Sequence, residues 1–306
     1  MPSVDSLEAL DRAVAGFEVT NLALVIEPSA LAAARRSLDE SGLLLLGEVH
    51  GVRENPLVIH AMMQAFGLTA LALEWPDELA PVIAAYLAGG DLADHPALWL
   101  GDGRITAGHL AVLRERAAVG QLELTLFDGV ASPDASWSQR DEAMAGRILA
   151  RAAADAGKAT ARADAGKATA RADAGKATAS ADAAPAGGSA RVSSGRATTA
   201  GGSSGRATTA GGMLAVAGNA HTPTRPTSLG IPLGACLAGQ RPGVRDIRIG
   251  YGSGHFYNLR PRRFRPQPGM LGLRRHQVRL HLHRGSLILD LPEPSEAIVP
   301  HRPAPA

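Results

Sequence analysis

The chain has 306 residues, a net charge of +2 and a single cysteine, Cys236, and only 4% of its residues are aromatic. One cysteine excludes an intramolecular disulfide framework and fits a reducing compartment. The small net charge does not by itself indicate a nucleic-acid partner. The sequence has no apolar run of about 18 residues, so no membrane span is predicted. The start of the chain lacks the pattern of a signal peptide. We therefore expect a soluble cytoplasmic protein.

Apolar periodicity predicts alternating helices and strands along most of the chain. Residues 1–40 have helical spacing, and further helices are predicted near 55–64, 76–86, 107–118 and 139–151. Short apolar runs between them predict buried strands at 43–46, 68–74, 121–128 and 213–221. Two strands joined by a helix at this spacing form a βαβ unit, whose strands run parallel. The prediction is an α/β protein with a mainly parallel β-sheet flanked by helices.

Low-complexity repeats interrupt this pattern. A nine-residue unit at 155–163 recurs at 164–172 and, slightly altered, at 173–181, and a ten-residue unit at 193–202 recurs at 203–212. These units contain almost no large apolar side chains, so they cannot offset the entropy cost of becoming ordered. We therefore predict one α/β domain in two parts, 1–150 and 213–291, separated by a disordered insertion at 151–212.

The second part of the domain contains strand patterns of its own. Apolar and charged residues alternate at 244–249, which predicts a half-exposed strand. Residues 279–289 are predicted to form a C-terminal β-hairpin. The segment 292–306 is rich in Pro and Ala and is predicted to be a loose tail.

Each of the four buried strands leads into polar residues that could share a site. These residues are Glu48 with His50, Glu74, Asp128, and Asn219 with His221. Because the carboxyl ends of parallel strands lie at one edge of a sheet, we expect these side chains to converge there. Two imidazoles and up to three carboxylates can bind a divalent metal or perform acid–base chemistry. The candidate metal ligands are Glu48, His50 and His221.

The order of these motifs resembles the erythromycin esterase/ChaN/Tiki superfamily. The motifs are Gly47-Glu48-Val49-His50-Gly51, the strand end Ala72-Leu73-Glu74, and Gly218-Asn219-Ala220-His221. The segment Gln139-Arg140-Asp141 is similar to the Arg-Asp-containing helix of ChaN-like members. The resemblance covers roughly residues 40–150 and 213–255, and it implies a parallel sheet flanked by helices.

What the resemblance implies for function is a pocket lined by Glu48, His50, Glu74 and His221, with Asn219 and Arg140 in supporting roles. Members of the superfamily hydrolyse a macrolide lactone, cleave peptides with the help of a metal, or bind haem. The spacing of Glu48 and His50 is nearer to the ChaN-like form, because erythromycin esterases typically carry an additional residue between the Glu and the His.

The leading hypothesis is a hydrolase of an ester or amide bond in a small-molecule or peptide substrate. The attacking water would be polarised by a divalent metal on Glu48, His50 and His221, or by His50 as a general base. Glu74 would orient an imidazole or act as the acid, and Arg140 or Asn219 would stabilise the oxyanion.

Two rival hypotheses come from other classes of protein. The first is a non-enzymatic haem or metal binder, with candidate axial ligands His50, His221, Tyr251 and Tyr257. The second is nucleic-acid binding through the arginines between Arg241 and Arg284. This segment has few aromatic residues and no recognised motif, which favours a solvated basic face over nucleic-acid binding.

Overall fold

A mostly parallel, eight-stranded sheet lies at the centre of the protein. The computed structural model describes residues 3–129, 134–154, 212–264 and 277–302. The strand order in the sheet is β2-β10-β11-β7-β3-β6-β4-β5. These strands are β2 (Ala23–Ile26), β3 (Leu43–Glu48), β4 (Ala70–Pro76), β5 (Glu123–Asp128), β6 (Met213–Gly218), β7 (Arg245–Tyr251), β10 (Gln277–His283) and β11 (Ser286–Leu291). Only the β10–β11 pair is antiparallel within this sheet.

Two further strand pairs lie outside the large sheet. A short parallel pair joins β1 (Ser3–Val4) to β12 (Val299–Pro300). An antiparallel hairpin joins β8 (His255–Asn258) to β9 (Arg260–Arg263). These two pairs tie the ends of the described chain and the arginine-rich segment to the loops around the large sheet.

Helices flank the sheet, as the apolar periodicity predicts. They are α1 (Leu7–Ala15), α2 (Pro28–Ser41), α3 (Asn55–Phe66), α4 (Ala80–Leu87), α5 (Ala107–Ala118), α6 (137–154) and α7 (Leu233–Gln240). Short 3-10 helices span Asp77–Leu79 and Pro96–Trp99. None of the helices in the described ranges is long and apolar enough to cross a membrane.

Strand β3 is buried on both faces, which explains its run of four leucines. Leu44 and Leu46 pack into one apolar core, while Leu43 and Leu45 pack into a second core on the other face of the sheet. A strand covered on both faces has no solvent side, so it loses the alternation of polar residues that a half-exposed strand shows. β3 pairs in parallel with β6 and β7, and this places Glu48 opposite Gly218.

The predicted α/β class, the mainly parallel sheet and the C-terminal β-hairpin are confirmed. The hairpin is an integral part of the large sheet, because β10 also pairs with β2 and β11 also pairs with β7. Strand β2 was not predicted, since its four residues lie inside a segment whose overall spacing is helical. The described parts of 1–153 and 211–306 form one compact unit.

Two predicted boundaries differ from the structure. Helix α6 continues to residue 154, four residues into the segment predicted as the insertion, and the rest of that insertion, 155–211, lies outside the described residues. The predicted loose tail is wrong for residues 292–302. Ala297 and Val299 are only 2% and 1% exposed, because β12 pairs with β1 and these side chains pack against Tyr257.

Candidate active site

The polar strand ends converge at one edge of the sheet. Strands β3, β6, β4 and β5 are neighbours in that order and all run parallel, so their carboxyl ends lie side by side. Six residues predicted from these strand ends therefore lie along one edge, namely Glu48, His50, Glu74, Asp128, Asn219 and His221. The seventh, Arg140, reaches the same edge from α6.

Glu74 lies between the two imidazoles. Its Oε1 atom is 3.5 Å from Nε2 of His221, and its Oε2 atom is 4.0 Å from Nε2 of His50. The backbone N–H of Gly218 donates a hydrogen bond of 2.8 Å to Oε2, which fixes the carboxylate at the end of β4. Only 4% of Glu74 is exposed. A buried negative charge thus faces a nitrogen atom of each histidine.

His221 is held by a buried carboxylate that is absent from the predicted site. Its Nδ1 atom lies 2.8 Å from Oδ1 of Asp141 on α6, and Oδ2 of Asp141 accepts the backbone N–H of Leu233 at 2.7 Å. The indole ring of Trp137 stacks on the imidazole, with a centroid distance of 4.2 Å and an interplanar angle of 8°. Such contacts fix the tautomer and the orientation of a histidine ring. The Nε2 atom is therefore directed at Glu74.

The environment of His221 favours its protonated form. Burial by itself lowers the pKa of the imidazole, but the hydrogen bond to Asp141 and the charge of Glu74 outweigh burial. The pKa of His221 is therefore raised above its usual value of about 6.5. These contacts make His221 a better proton donor near neutral pH than an unperturbed histidine.

His50 lies in a tight loop whose backbone packs closely against the backbone of Tyr257. The next residue, Gly51, has a φ of +76°, and a Cβ atom there would lie 1.5 Å from the carbonyl oxygen of Tyr257. The N–H of Gly51 donates to the carbonyl of Gly103, and its carbonyl accepts the N–H of Tyr257. Only glycine fits at this position, because a side chain would clash and would also strain the backbone. The β8 strand thus fixes the loop that carries His50.

The environment of His50 lowers the pKa of its imidazole, whereas the environment of His221 raises the pKa of that ring. Burial lowers the pKa of His50 and outweighs Glu74 and Asp102, whose charges raise it. The side chain keeps 17% of its surface exposed, so a substrate can reach it. A neutral imidazole with a free Nε2 is suited to accepting a proton from water.

Glu48 and His50 line a small cavity behind the histidine pair. The cavity has a volume of about 10 Å³, which is room for one water molecule, and Trp75, Arg104 and His109 also line it. The Oε2 atom of Glu48 is buried without a hydrogen-bond partner among the described residues. Burial and repulsion from Glu74 raise the pKa of Glu48 well above its usual range, although a hydrogen bond with Asn55 lowers it. This environment favours the neutral, protonated form of Glu48 beside a water-sized space.

His109 is a second residue of this cavity that the sequence did not indicate. It is 3% exposed, its Nδ1 atom lies 2.9 Å from Oγ1 of Thr106, and its ring meets Trp75 edge to face. Burial lowers the pKa of His109 to about 3. The side chain is thus a neutral imidazole that completes the wall of the cavity behind His50.

Asp128 does not face the histidines but joins two arginines. Nη2 of Arg140 donates a hydrogen bond of 2.8 Å to Oδ2 of Asp128, and Nη1 of Arg104 donates to the same oxygen. Both guanidinium groups also approach Oε1 of Glu74, Arg140 at 3.7 Å and Arg104 at 3.8 Å. Arg104 was not predicted, since nothing in its turn-rich segment distinguishes it from a solvent-exposed charge. The arginines give the site a positive wall beside the carboxylate.

The backbone of Asn219 contacts the site through a hydrogen bond to Glu48, whereas its side chain packs against Gly47. Its N–H donates to the carbonyl of Glu48 at 2.8 Å, which continues the β3–β6 pairing past the strand ends. A Cβ atom at Gly47 would lie 2.5 Å from Oδ1 of Asn219, so the amide packs against that glycine. The structure gives no contact between this side chain and Glu74 or either histidine. Its predicted role at an oxyanion stays a prediction.

The residues predicted as metal or haem ligands do not form a ready ligand set. No three His, Cys, Asp or Glu side chains are placed to hold a metal ion within the described ranges. The predicted set of Glu48, His50 and His221 is not assembled, because Glu74 lies between the two histidines. The hydroxyl of Tyr251 donates to Oδ1 of Asn55 and accepts the N–H of Val49, both at 2.9 Å, and is not free to bind haem iron.

Comparisons with known proteins give no relative from which a function could be transferred. No protein-family model, curated protein or solved structure matches the chain. Function is therefore inferred from the chemistry and geometry of the sheet edge. Its central feature is one buried carboxylate, Glu74, placed between a histidine of lowered pKa and a histidine of raised pKa.

Proposed function

We propose that the protein is a hydrolase that cleaves an ester or amide bond by acid–base catalysis at the edge of the sheet. The observation that carries this proposal is the opposite direction of the pKa shifts of His50 and His221, whose Nε2 atoms both face Glu74. Titratable neighbours whose environments separate their pKa values can act as the base and the acid of one reaction. The substrate class is a small molecule or a peptide that carries a carbonyl group.

His50 is the proposed general base. Its neutral Nε2 takes a proton from water while the water oxygen forms a bond to the carbonyl carbon, whose oxygen becomes an oxyanion. The single-water cavity lined by His50 and Glu48 is a source for that water. General-base catalysis of this kind contributes about 10²-fold to 10⁴-fold in rate.

His221 is the proposed general acid, with Asp141 as its positioning residue. When the tetrahedral intermediate collapses, the bond from carbon to the leaving oxygen or nitrogen breaks, and Nε2–H of His221 gives its proton to that leaving atom. Asp141 keeps Nδ1 protonated and the ring aligned. The cycle ends with His50 protonated and His221 neutral, and proton exchange with solvent restores both.

Arg104 and Arg140 are the proposed stabilisers of negative charge. Fixed cationic donors are most effective where charge develops during a reaction and where water is excluded. Arg140 is 33% exposed and can reach a bound substrate, whereas Arg104 is 14% exposed and anchored by Asp102. Glu74 balances the charge of the two arginines, and its carboxylate lies close to both imidazoles and both guanidinium groups.

Metal or haem binding remains the alternative function. The unpartnered oxygen of Glu48 and the nearby His50 are donor groups that a cation could recruit if the carboxylates rearranged. Metal analysis of the purified protein and a haem titration followed by absorbance test this alternative. A one-to-one Soret shift or a stoichiometric metal would favour it over the metal-free mechanism.

The resemblance to the erythromycin esterase/ChaN/Tiki superfamily supports the same proposal, because the residues that carry it are Glu48, His50, Glu74 and His221. The proposed location is the cytoplasm, on the ground that the chain has one cysteine, Cys236, which is free. Both points remain proposals.

The direct test is hydrolysis of a panel of esters and amides by the wild type and by His50→Ala. We expect turnover in the wild type and none above background in the variant, with an unchanged circular dichroism spectrum. His283→Ala, which alters an exposed histidine on β10, is the matched control and should retain full activity. Hydrolysis that survives in His50→Ala would show that the assignment of the base is wrong.

A further inference from the structure

A second, larger pocket opens beside the proposed acid–base centre. Its volume is about 300 Å³, which is the lower end of the range for sites that bind small organic molecules. It lies at the ends of β4 and β5, where Pro76 is the register partner of Asp128. The described residues that line it are Pro76, Glu78, Pro96, Ala97, Leu100, Asp128 and Gly129.

The wall of this pocket is mostly apolar. Pro76, Pro96, Ala97 and Leu100 contribute hydrocarbon surface. Leu100 is 43% exposed, so its side chain adds accessible apolar surface to the pocket. Covering this surface with a hydrocarbon group would remove apolar area from water, and that burial is favourable.

The two carboxylates of the pocket do not call for a cationic ligand. The charge of Asp128 is compensated by Arg104 and Arg140, which both donate to it. Glu78 is exposed and reaches solvent at the rim. A neutral apolar group therefore matches the pocket better than a charged one.

Asp128 connects this pocket to the acid–base centre. The same guanidinium groups that bind Asp128 approach Oε1 of Glu74, at 3.7 Å for Arg140 and 3.8 Å for Arg104. These two arginine head groups thus link Asp128, which lines the pocket, to the carboxylate that both histidines face. A substrate whose carbonyl lies at Glu74 can place a hydrocarbon chain in the pocket without leaving the sheet edge.

We propose that this pocket binds an apolar hydrocarbon group attached to the scissile ester or amide, and so selects substrates with such a group. The claim that the hydrocarbon group belongs to a scissile ester or amide rests on the proposed hydrolase function. The binding of hydrocarbon groups by the pocket itself does not depend on catalysis. The two claims can therefore fail separately.

The first experiment measures binding without turnover. Linear 1-alkanols from ethanol to octanol are titrated into the wild type, Leu100→Trp and Val119→Trp, and binding is followed by protein NMR shifts or calorimetry. We expect affinity in the wild type to rise about threefold to fourfold for each added methylene until the pocket is filled. Leu100→Trp should remove this dependence, because the indole occupies the mouth of the pocket.

Val119→Trp is the matched control, since Val119 is 64% exposed just after α5, at the opposite edge of the sheet from the site. It should bind alkanols as the wild type does. Affinity that does not depend on chain length, or an equal loss in both variants, would overturn the pocket proposal.

The second experiment measures selectivity on two series of esters. One series lengthens the acyl group and the other lengthens the alcohol, so the series that responds identifies which side of the bond enters the pocket. We expect kcat/KM to rise with chain length in one series and the ratio of hexyl to ethyl substrates to fall at least tenfold in Leu100→Trp. Chain-dependent alkanol binding with no hydrolysis of any ester would retain the pocket and reject the hydrolase function. Hydrolysis whose kcat/KM does not depend on chain length, together with alkanol binding that does not depend on it, would retain the hydrolase function and reject the pocket.

Discussion

The Nδ1 atom of His221 lies 2.8 Å from the Oδ1 atom of Asp141, although 80 positions separate the two residues in the chain. Asp141 is fully buried and its second oxygen is bound by the backbone N–H of Leu233. A buried carboxylate with both oxygens engaged is costly unless the partner carries a compensating positive charge. The pair therefore favours an imidazolium at His221, the form that the proposed role as general acid requires.

Replacing Asp141 by Asn tests this pairing. An amide can occupy the same space and still accept the Leu233 N–H, but it cannot stabilise a positive imidazole. We expect kcat of the proposed reaction to fall by up to about 10⁴-fold, the loss seen when the carboxylate of a Ser-His-Asp triad is neutralised. Steady-state kinetics on the best ester of the panel measure this effect.

The matched control for that substitution is Glu142→Gln, which removes a carboxylate from the next, exposed position of α6. It should keep the wild-type rate within a factor of about two, because surface substitutions away from a site have small effects. Equal rates in Asp141→Asn and Glu142→Gln would remove Asp141 from the mechanism.

Glu74→Gln tests the electrostatic coupling of the two histidines. The charge of Glu74 raises the pKa of both His221 and His50, so its loss should lower both pKa values. The amide can still accept the Gly218 N–H, which preserves the end of β4. NMR titration of the histidine ring protons gives the two pKa values directly.

Glu115→Gln is the control for the titration, since Glu115 is exposed near the end of α5 and is far from the sheet edge. It should leave both histidine titrations unchanged. If the two pKa values stay fixed in Glu74→Gln, then Glu74 does not couple the histidines.

His109 should make the protein sensitive to mild acid. The pKa of its imidazole is about 3 in the folded protein and about 6.5 in the unfolded chain. The unfolded chain therefore binds the proton first as the pH falls, and stability is lost below about pH 6.5. Between pH 7 and pH 5 the wild type should lose about 2 kcal/mol more of its free energy of unfolding than His109→Gln.

Urea unfolding at the two pH values measures this difference, with His283→Gln as the matched substitution of an exposed histidine. His109→Gln should also be less stable than the wild type at pH 7, because it disturbs the contacts with Thr106 and Trp75. The informative quantity is therefore the change with pH within each variant. Parallel losses of stability in the wild type and His109→Gln would show that the histidine is not buried in a neutral form.

The polar residues at the carboxyl edge of the sheet could be predicted from the sequence, because each strand and the residues that follow it form a short, continuous pattern. The leucine run at 43–46 and the run that ends at Glu74 are the patterns of strands buried on both faces. The run that ends at Asp128 alternates polar and apolar residues over its first half, which is the pattern of a partly exposed strand. Parallel strands place their carboxyl ends together whatever the strand order is. The convergence of His50, Glu74 and His221 therefore required no knowledge of the three-dimensional contacts.

Asp141 was missed as a site residue although its helix carries a signal. Met144, Ala145 and Ile148 follow it at helical spacing and all three are buried, so Asp141 is a carboxylate on the apolar face of α6. A charged residue in such a position requires a partner, and the free Nδ1 of a nearby histidine can supply it. The neighbouring Arg140 was predicted because the family resemblance implies a supporting role for it.

Arg104 and the ordered end of the chain could not be predicted in the same way. Arg104 becomes part of the site through contacts with Glu74 and Asp128, which come from two different strands. The two-residue strand β12 is stable only because it pairs with β1, so that Val299 lies opposite Ser3. Neither relationship leaves a periodic trace in the local sequence, and both depend on long-range contacts.

The pH dependence of kcat/KM tests the acid–base assignment most directly. His50 must be neutral and His221 must be protonated, so a bell-shaped profile is expected, with its acidic limb below and its alkaline limb above pH 6.5, the usual pKa of histidine. Asp141→Asn should move the alkaline limb to lower pH and leave the acidic limb in place, because Asp141 is hydrogen-bonded to His221 and not to His50. A profile with one limb, or an alkaline limb that stays fixed in Asp141→Asn, would contradict the assignment of His50 as the base and His221 as the acid.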